Sequence, residues 1–389
     1  DSWQTMGSWY WGFVKDQFDS DEETRRLARR ITEKATTDVE KVKAVYGWVV
    51  SKTRYVALEF GVYGYKPYRA VQTLSRGWGD CKDKATAIVT LLKSLGIDAT
   101  IVILRTQVRG DFHSKIASLA PFDHAIAYVP SLDLYLDGTA EGVGSRELPV
   151  MDRGALALRI HEGKPQLVRL PDHGVADDLY KREMTATLEA DGSGQIEMHS
   201  AVSGSAAPEF RHSYGAEATR RERLTSELGR EFPGLTLLPG AAGFSADGLD
   251  DIEKDVVLDV RGKTPELARR ENGRLSLAVT PNVRLSPTYA ALSERRHEVR
   301  LMGIPKYDDS YSVKLPPGFV AVAGPETKQS KSAFGEYSVE VDIQPNRVTV
   351  RSRLRLSKSR ISPSEYPKFR EFCAEVDSAF GKRLVVGRP

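Results

Sequence analysis

Cysteine is scarce in this chain. Its 389 residues include two, Cys81 and Cys373, too few for a disulfide framework. Long apolar runs are missing as well. No segment reaches the roughly 18 apolar residues of a membrane span, and no secretory leader is visible. Charge of one sign is also lacking: 56 basic against 53 acidic residues leave a net +3, with no long run of either. Nothing therefore points to nucleic acid or an anionic membrane as a partner. The densest basic cluster, Arg220-Arg221-Glu222-Arg223, reads as a solvated helix face. Metal-ligand spacings such as CxxC or HxxxH are absent, so neither metal nor cofactor is expected. There is no repeat and no low-complexity stretch.

What is present is 40% apolar residues, enough for real cores, and length for two or three domains of about 100–200 residues. One stretch organises the rest, Arg76-Gly77-Trp78-Gly79-Asp80-Cys81-Lys82-Asp83-Lys84-Ala85. After it, Ala85, Ile88, Val89, Leu92 and Leu95 recur at helical spacing, and Gly96 stops the pattern. Cys81 is thus expected at the N-terminus of a helix buried along one face. Free backbone N–H groups there favour a thiolate over a thiol and can donate to an oxyanion. Asp80 and Asp83 flank the cysteine and are expected to cap the helix or pair with Lys82, Lys84 or Arg76, not to face the sulfur.

A nucleophilic cysteine needs a base, and the base needs an orienting group. Residues 122–129 read as a strand carrying His124 near its start. Residues 134–139 read as a short strand ending in Asp137 at a glycine turn, and residues 130–133 join the two as a hairpin. On adjacent strands His124 and Asp137 come within hydrogen-bond reach. His113 is the rival base, but it lies in a loop with no aspartate at hairpin distance. The Cys81 backbone N–H is one oxyanion donor, and Trp78, Tyr55 or Gln72 are candidates for the second or for the groove.

These residues resemble the core of the transglutaminase-like superfamily. The likeness rests on Gly79-Asp80-Cys81-Lys82-Asp83-Lys84-Ala85, on Leu91-Leu92-Lys93-Ser94-Leu95-Gly96-Ile97-Asp98-Ala99, and on the upstream Val45–Val50 and Thr53–Glu59. More narrowly they resemble a bacterial branch in which that core follows a β-rich domain, DUF3857. The resemblance covers roughly residues 1–150. It implies a papain-like core with Cys81 as nucleophile, His124 as base and Asp137 as orienter. It also implies an exported, periplasmic protein. The chain opens at Asp1 without Met, which reads as an excised or processed piece lacking the DUF3857 domain.

The expected fold class is α+β: a papain/transglutaminase-like core with Cys on a helix and His and Asp on an antiparallel sheet, followed by a β-rich, sandwich-like domain with two helices. The expected domains are 1–160, a linker at 161–180 rich in Pro and Gly, and 181–389. Within the first, residues 1–18 form a dense aromatic helix or linker, residues 21–34 a charged helix with Leu27 and Ile31 inward, and Thr37 to Glu40 a capping box. Residues 61–68 form a Gly/Tyr loop suited to lining a groove. In the second, period-two strands are interrupted by a helix over 206–231. A last helix over 363–380 carries Cys373 as a buried small hydrophobe. The function expected is cysteine-dependent acyl transfer or hydrolysis at peptide or protein carboxamides through a thioester. The alternatives are a cysteine peptidase with the same triad and a non-catalytic protein-binding module on the same scaffold.

Overall fold

The structure is a computed structural model that describes residues 2–161, 164–174, 178–303 and 306–389. The chain divides into two compact units, Asp1–Ala176 and Asp177–Pro389. Residues 162, 163 and 175–177 of the expected linker lie outside the described residues, and part of the remainder is a strand of the first unit, given below.

The first unit begins with α1 (Trp3–Val14), α2 (Glu22–Ile31) and α3 (Asp38–Lys52). Ser2, Asp21 and Thr37 cap them through side-chain oxygens. Thr37 and Glu40 bond each other's backbone N–H, the reciprocal box their spacing predicts. On α2 the buried positions are Thr24 and Ala28, with Leu27 and Ile31 half-buried. A two-residue strand β1 (Arg54–Tyr55) then pairs in parallel with β2 (Trp78–Gly79), and α4 (Ala70–Arg76) lies between them in sequence. The 61–68 loop contains one 3-10 turn, Gly61–Gly64.

The helix that follows, α5 (Cys81–Lys93), departs from the one-faced expectation. Every residue from Cys81 to Leu92 is buried. The reason is its position: α5 lies against β-strands on one side and against α2, α3 and α4 on others. A helix enclosed all round must satisfy its polar residues internally. Lys84 donates its ammonium to the Thr53 carbonyl at 2.7 Å, Thr86 bonds the Lys82 carbonyl at 2.7 Å, and Thr90 bonds that of Phe18 at 3.3 Å. Gly96, with φ of +78°, turns the chain out of the helix.

The sheet of this unit contains β3 (Thr100–Arg105), β4 (His124–Val129), β5 (Leu134–Leu136), β6 (Leu156–Ile160) and β7 (Gln166–Arg169), in the order β5-β4-β3-β6-β7 and antiparallel throughout. The β-branched run of β3 sits at the centre, buried almost to its end. Gly7 of α1 lies so close to Pro165 that a Cβ there would stand 2.2 Å from the proline ring, so α1 packs on the sheet where no larger residue fits.

The second unit opens with the hairpin β8 (Leu179–Leu188) and β9 (Gly194–Ser203). The expected single helix over 206–231 is two, α6 (Ala207–Tyr214) and α7 (Glu217–Leu228), separated at Gly215-Ala216. Strands β10 (Thr236–Leu237), β11 (Phe244–Asp247), β12 (Val256–Thr264), β13 (Arg269–Glu271) and β14 (Arg274–Leu277) follow, then α8 (Leu285–Tyr289) and β15 (Val299–Arg300). The remainder is β16 (Lys306–Lys314), β17 (Val320–Ala323), β18 (Lys328–Ser332), β19 (Gly335–Gln344), β20 (Arg347–Leu356), β21 (Arg360–Ile361), α9 (Tyr366–Phe380) and β22 (Leu384–Gly387). The main sheet runs β10-β12-β9-β8-β16-β20-β19-β18, with β11 also on β12. A four-stranded sheet runs β13-β14-β22-β17. Strict alternation buries Met184, Ala186 and Leu188 on β8 and Val348, Val350, Leu354 and Leu356 on β20. These side chains share one core with Leu275, Leu277, Leu384 and Val386 of the smaller sheet and with Phe369, Phe372, Val376 and Phe380 of α9. The unit is therefore β-rich with four helices among its described residues, not two.

Candidate active site

The site is built at the head of α5. Asp80 is the N-cap, and a reciprocal box forms with Asp83 in the role usually taken by Glu: each carboxylate accepts the other's backbone N–H at 3.2 Å. Both carboxylates are then fully engaged. Asp83 meets Arg76 Nη2 at 2.8 Å and the Tyr68 amide at 2.8 Å, while Asp80 meets Lys82 Nζ at 2.5 Å. Lys82 also reaches Glu59 at 3.1 Å. The Arg76 guanidinium lies over the rings of Tyr68 and Trp78, 4.4 and 3.9 Å from their centroids. The acids cap and pair as expected, except that Lys84 turns to a carbonyl. Gly79 permits this crowding, since a Cβ there would lie 2.6 Å from Asp83 Cβ.

Cys81 is the first helical residue and is 8% exposed. The His124 ring lies near enough to the thiol for the sulfur to favour its charged form. On the other side of that ring, His124 Nε2 lies 3.0 Å from Asp137 Oδ2, which leaves Nδ1 as the nitrogen facing the sulfur. The sheet register explains the second contact. Ala127 pairs with Leu136, so continuing the ladder puts Asp137 opposite Ile126 and one diagonal step from His124, on the same face. Asp137 Oδ1 accepts from the Thr139 amide and hydroxyl at 2.8 and 2.7 Å. The Tyr46 hydroxyl bonds the backbone carbonyls of Asp137 and Val143. The three residues singled out in the sequence, Cys81, His124 and Asp137, thus lie together, with a hydrogen bond between the last two.

Electrostatics follow from this geometry. Burial alone lowers the His124 pKa, but the Asp137 charge and hydrogen bond, with the nearby Cys81 sulfur, raise it well above 6.5. Burial pushes the Asp137 carboxyl up, yet the His124 charge and the donors on His124 and Thr139 outweigh it, and its pKa is lowered. The imidazolium–carboxylate form is the favoured one.

Of the other candidates, Tyr55 stands beside the sulfur. Its hydroxyl is pushed up first by burial, then by Cys81, Asp80 and Glu59, and the residue remains half exposed. Trp78 pairs with Arg54 and is held under Arg76, with its carbonyl taking the Arg76 Nε–H at 2.7 Å. Gln72 is exposed on α4, and nothing in its placement ties it to the sulfur. His113 is exposed in the loop before β4.

Two residues at the site carried no sequence signal. Tyr10, buried in α1, donates its hydroxyl to the Tyr65 carbonyl at 2.8 Å. Burial raises its pKa most, and the charges of Cys81 and Asp80 add to the shift, so it is close enough to the nucleophile to feel its charge. In the sequence it is one of six aromatics between residues 3 and 18. Asp152, between β5 and β6, is fully buried. It presents a carboxylate oxygen within 4.8 Å of the corresponding atoms of His124 and Asp137. That grouping has the spacing a metal ion would use, but the His124–Asp137 hydrogen bond occupies the same lone pairs. Trp9, Met6 and Phe13 of α1, Val62 and Tyr65 of the Gly/Tyr loop and Leu119 line an apolar groove of about 660 Å³, and the carbonyl of that Tyr65 takes the Tyr10 hydroxyl.

A family model and one solved structure support this fold. Residues 25–127 match the transglutaminase-like superfamily. Residues 274–386 match DUF3858, a domain of unknown function with a solved structure. The domain association expected from the sequence was with DUF3857; the one found is with DUF3858, and it lies in the second unit. A crystal structure of a Parabacteroides distasonis protein, provisionally named a protease, superposes with a TM-score of 0.62 at 13% identity, over 99% of this chain and 59% of that one. The chain therefore spans about three fifths of that protein's length. A Cytophaga hutchinsonii protein, provisionally named a cysteine protease, has 20% identity over 32% of this chain and 42% of its own, with a TM-score of 0.24. No curated protein matches the chain.

Proposed function

We propose that this chain, whose first unit carries a transglutaminase-like core, is a thiol enzyme acting on carboxamides of peptides or proteins. The observation that carries the reading is His124 standing between the Cys81 thiol and the Asp137 carboxylate at the head of a buried helix. In the reaction, His124 already holds the Cys81 proton as imidazolium, and the thiolate attacks the carbonyl carbon. The oxyanion forms beside the Cys81 amide at the helix N-terminus. The C–N bond breaks and the amine departs with the proton from His124, leaving a thioester. Water or an amine then attacks the thioester, its proton passes to His124, and the thiolate leaves. Asp137 holds the imidazole tautomer throughout.

Hydrolysis of backbone amides, the peptidase reading, uses the same steps. The apolar groove that Tyr65 lines favours an extended chain with large apolar side chains over a small amide. One experiment separates the outcomes. An unfolded protein is incubated with the chain and a fluorescent primary amine, with Cys81→Ala as control. Incorporated amine identifies acyl transfer, new N-termini identify proteolysis, and released ammonia alone identifies side-chain amide hydrolysis. Wild type that gives none of these, or that matches Cys81→Ala, sinks the enzymatic reading in favour of a binding module.

A further inference from the structure

Asp152 is an acid in a place that tolerates no unpaired charge. It is 0% exposed, and neither of its carboxyl oxygens has a hydrogen-bond partner of good geometry. The polar atoms around it are those of the His124–Asp137 pair, within 4.8 Å. Asp137 already receives three donors, His124 on one oxygen and the Thr139 amide and hydroxyl on the other. A carboxylate has room for about four, so Oδ2 keeps one lone pair. Two carboxylates this close cannot both ionise in a buried site.

We propose that Asp152 is a fourth member of the site, a neutral acid whose O–H donates to Asp137 and so fixes the carboxylate that orients His124. It touches neither substrate nor sulfur, and is a positioning residue. The proposal rests on the reading of Cys81, His124 and Asp137 as the working triad. Burial first, and then the Asp137 charge, hold the Asp152 pKa well above the usual carboxylate value, which keeps its proton in place. The other charged groups nearby leave this assignment intact. Asp123 adds a further negative charge and is itself paired with Arg109. Lys84 acts on Asp137 but is bonded to the Thr53 carbonyl. Arg153, next in the chain, directs its Nε to the Leu148 carbonyl at 2.6 Å. No cation is bonded to Asp152, which is what a neutral acid requires. An aspartate that spends its proton on a neighbour differs from an ordinary orienting acid in one respect: asparagine can replace it, because an amide N–H makes the same donation.

The test uses the full chain, with iodoacetamide as the probe and Cys81 labelling followed by mass spectrometry. The variants are Asp152→Asn, Asp152→Ala and His124→Ala. Labelling of Asp152→Ala at pH 6 should fall by about tenfold, the usual cost of losing an outer partner of this kind, while Asp152→Asn retains at least about half the wild-type rate. Equal rates in all three aspartate forms, or an equal fall in both variants, would overturn the proposal. The melting temperature of Asp152→Asn against wild type provides a second readout. The native acid holds a proton that the unfolded chain releases above about pH 4, so wild-type stability falls as pH rises through that window. The gap in favour of Asp152→Asn should therefore widen from pH 4 to pH 8, and a flat gap would also overturn the proposal. Zinc that raises the melting temperature of wild type but not of Asp152→Asn would assign the cluster to a metal instead. If His124→Ala labels like wild type, the triad reading fails, and the melting arm still decides the state of Asp152.

Discussion

The two cysteines sit in two buried helices, and the contrast between them shows what makes a thiol chemically useful. Cys373 lies in the middle of α9 with 0% exposure. Burial, and then the Asp377 charge, push its thiol up to about 12. Cys81 is almost as buried, at 8%, but it heads its helix and lies near an imidazole. Burial is common to both. Place along the helix and the partner at the sulfur are what differ. In α9 every backbone N–H near the sulfur is spent within the helix, whereas at the head of α5 the first amides have no intrahelical acceptor.

The largest test of that contrast is turnover. On the proposed mechanism Cys81→Ala should lower amide turnover by about 10³-fold or more, while Cys373→Ala leaves it unchanged; loss in both would end the contrast. Next is the support beneath the α5 head. Arg76→Ala strands the Asp83 carboxylate, 2% exposed in its side chain, and should cost about 3–5 kcal/mol of stability, read as a fall in denaturant midpoint. Smaller is Cys373→Ser, which buries a hydroxyl among apolar neighbours and should cost about 1–3 kcal/mol without changing the labelling of Cys81. The smallest effect concerns pH. The raised His124 pKa means the imidazolium–Asp137 pair contributes fully below the unfolded value of about 6.5 and is lost as pH rises through the folded value. The melting temperature gap between wild type and His124→Ala should therefore shrink from pH 6 upward, and a gap that grows would mean a neutral imidazole in the fold.

Much of the site was legible in the sequence because each part has a local cause. A glycine turn before a periodic run locates Cys81 at a helix start, and a four-residue turn between two short strands brings His124 near Asp137. The burial of α5 on all sides was not legible, because the polar Lys84 and Thr90 look like a solvent face until their distant acceptors at Thr53 and Phe18 are known, while Thr86 bonds back within the helix to Lys82. The split of the 206–231 helix falls at Gly215-Ala216, where a glycine, the poorest helix former after proline, ends α6. Asp152 lies 15 residues from Asp137 (152 − 137) and Tyr10 lies 71 residues from Cys81 (81 − 10), counted along the chain. No spacing rule spans such gaps. Gln72 was a candidate by proximity in sequence, and the helix it occupies turns it to solvent.

The second unit carries one pairing with a consequence in time. Strand β8 lies parallel to β16, with Leu179 opposite Lys306, partners 127 residues apart (306 − 179). Its other neighbour, β9, follows it directly through a short turn. On the ribosome, at about 5–20 residues per second, roughly 6–25 s separate the emergence of the two parallel partners. Throughout that interval the β8–β9 hairpin presents an open edge on β8, and it does so in every newly made molecule. The nascent chain therefore depends on speed of synthesis, or on a chaperone, to keep that edge from pairing with a neighbour's.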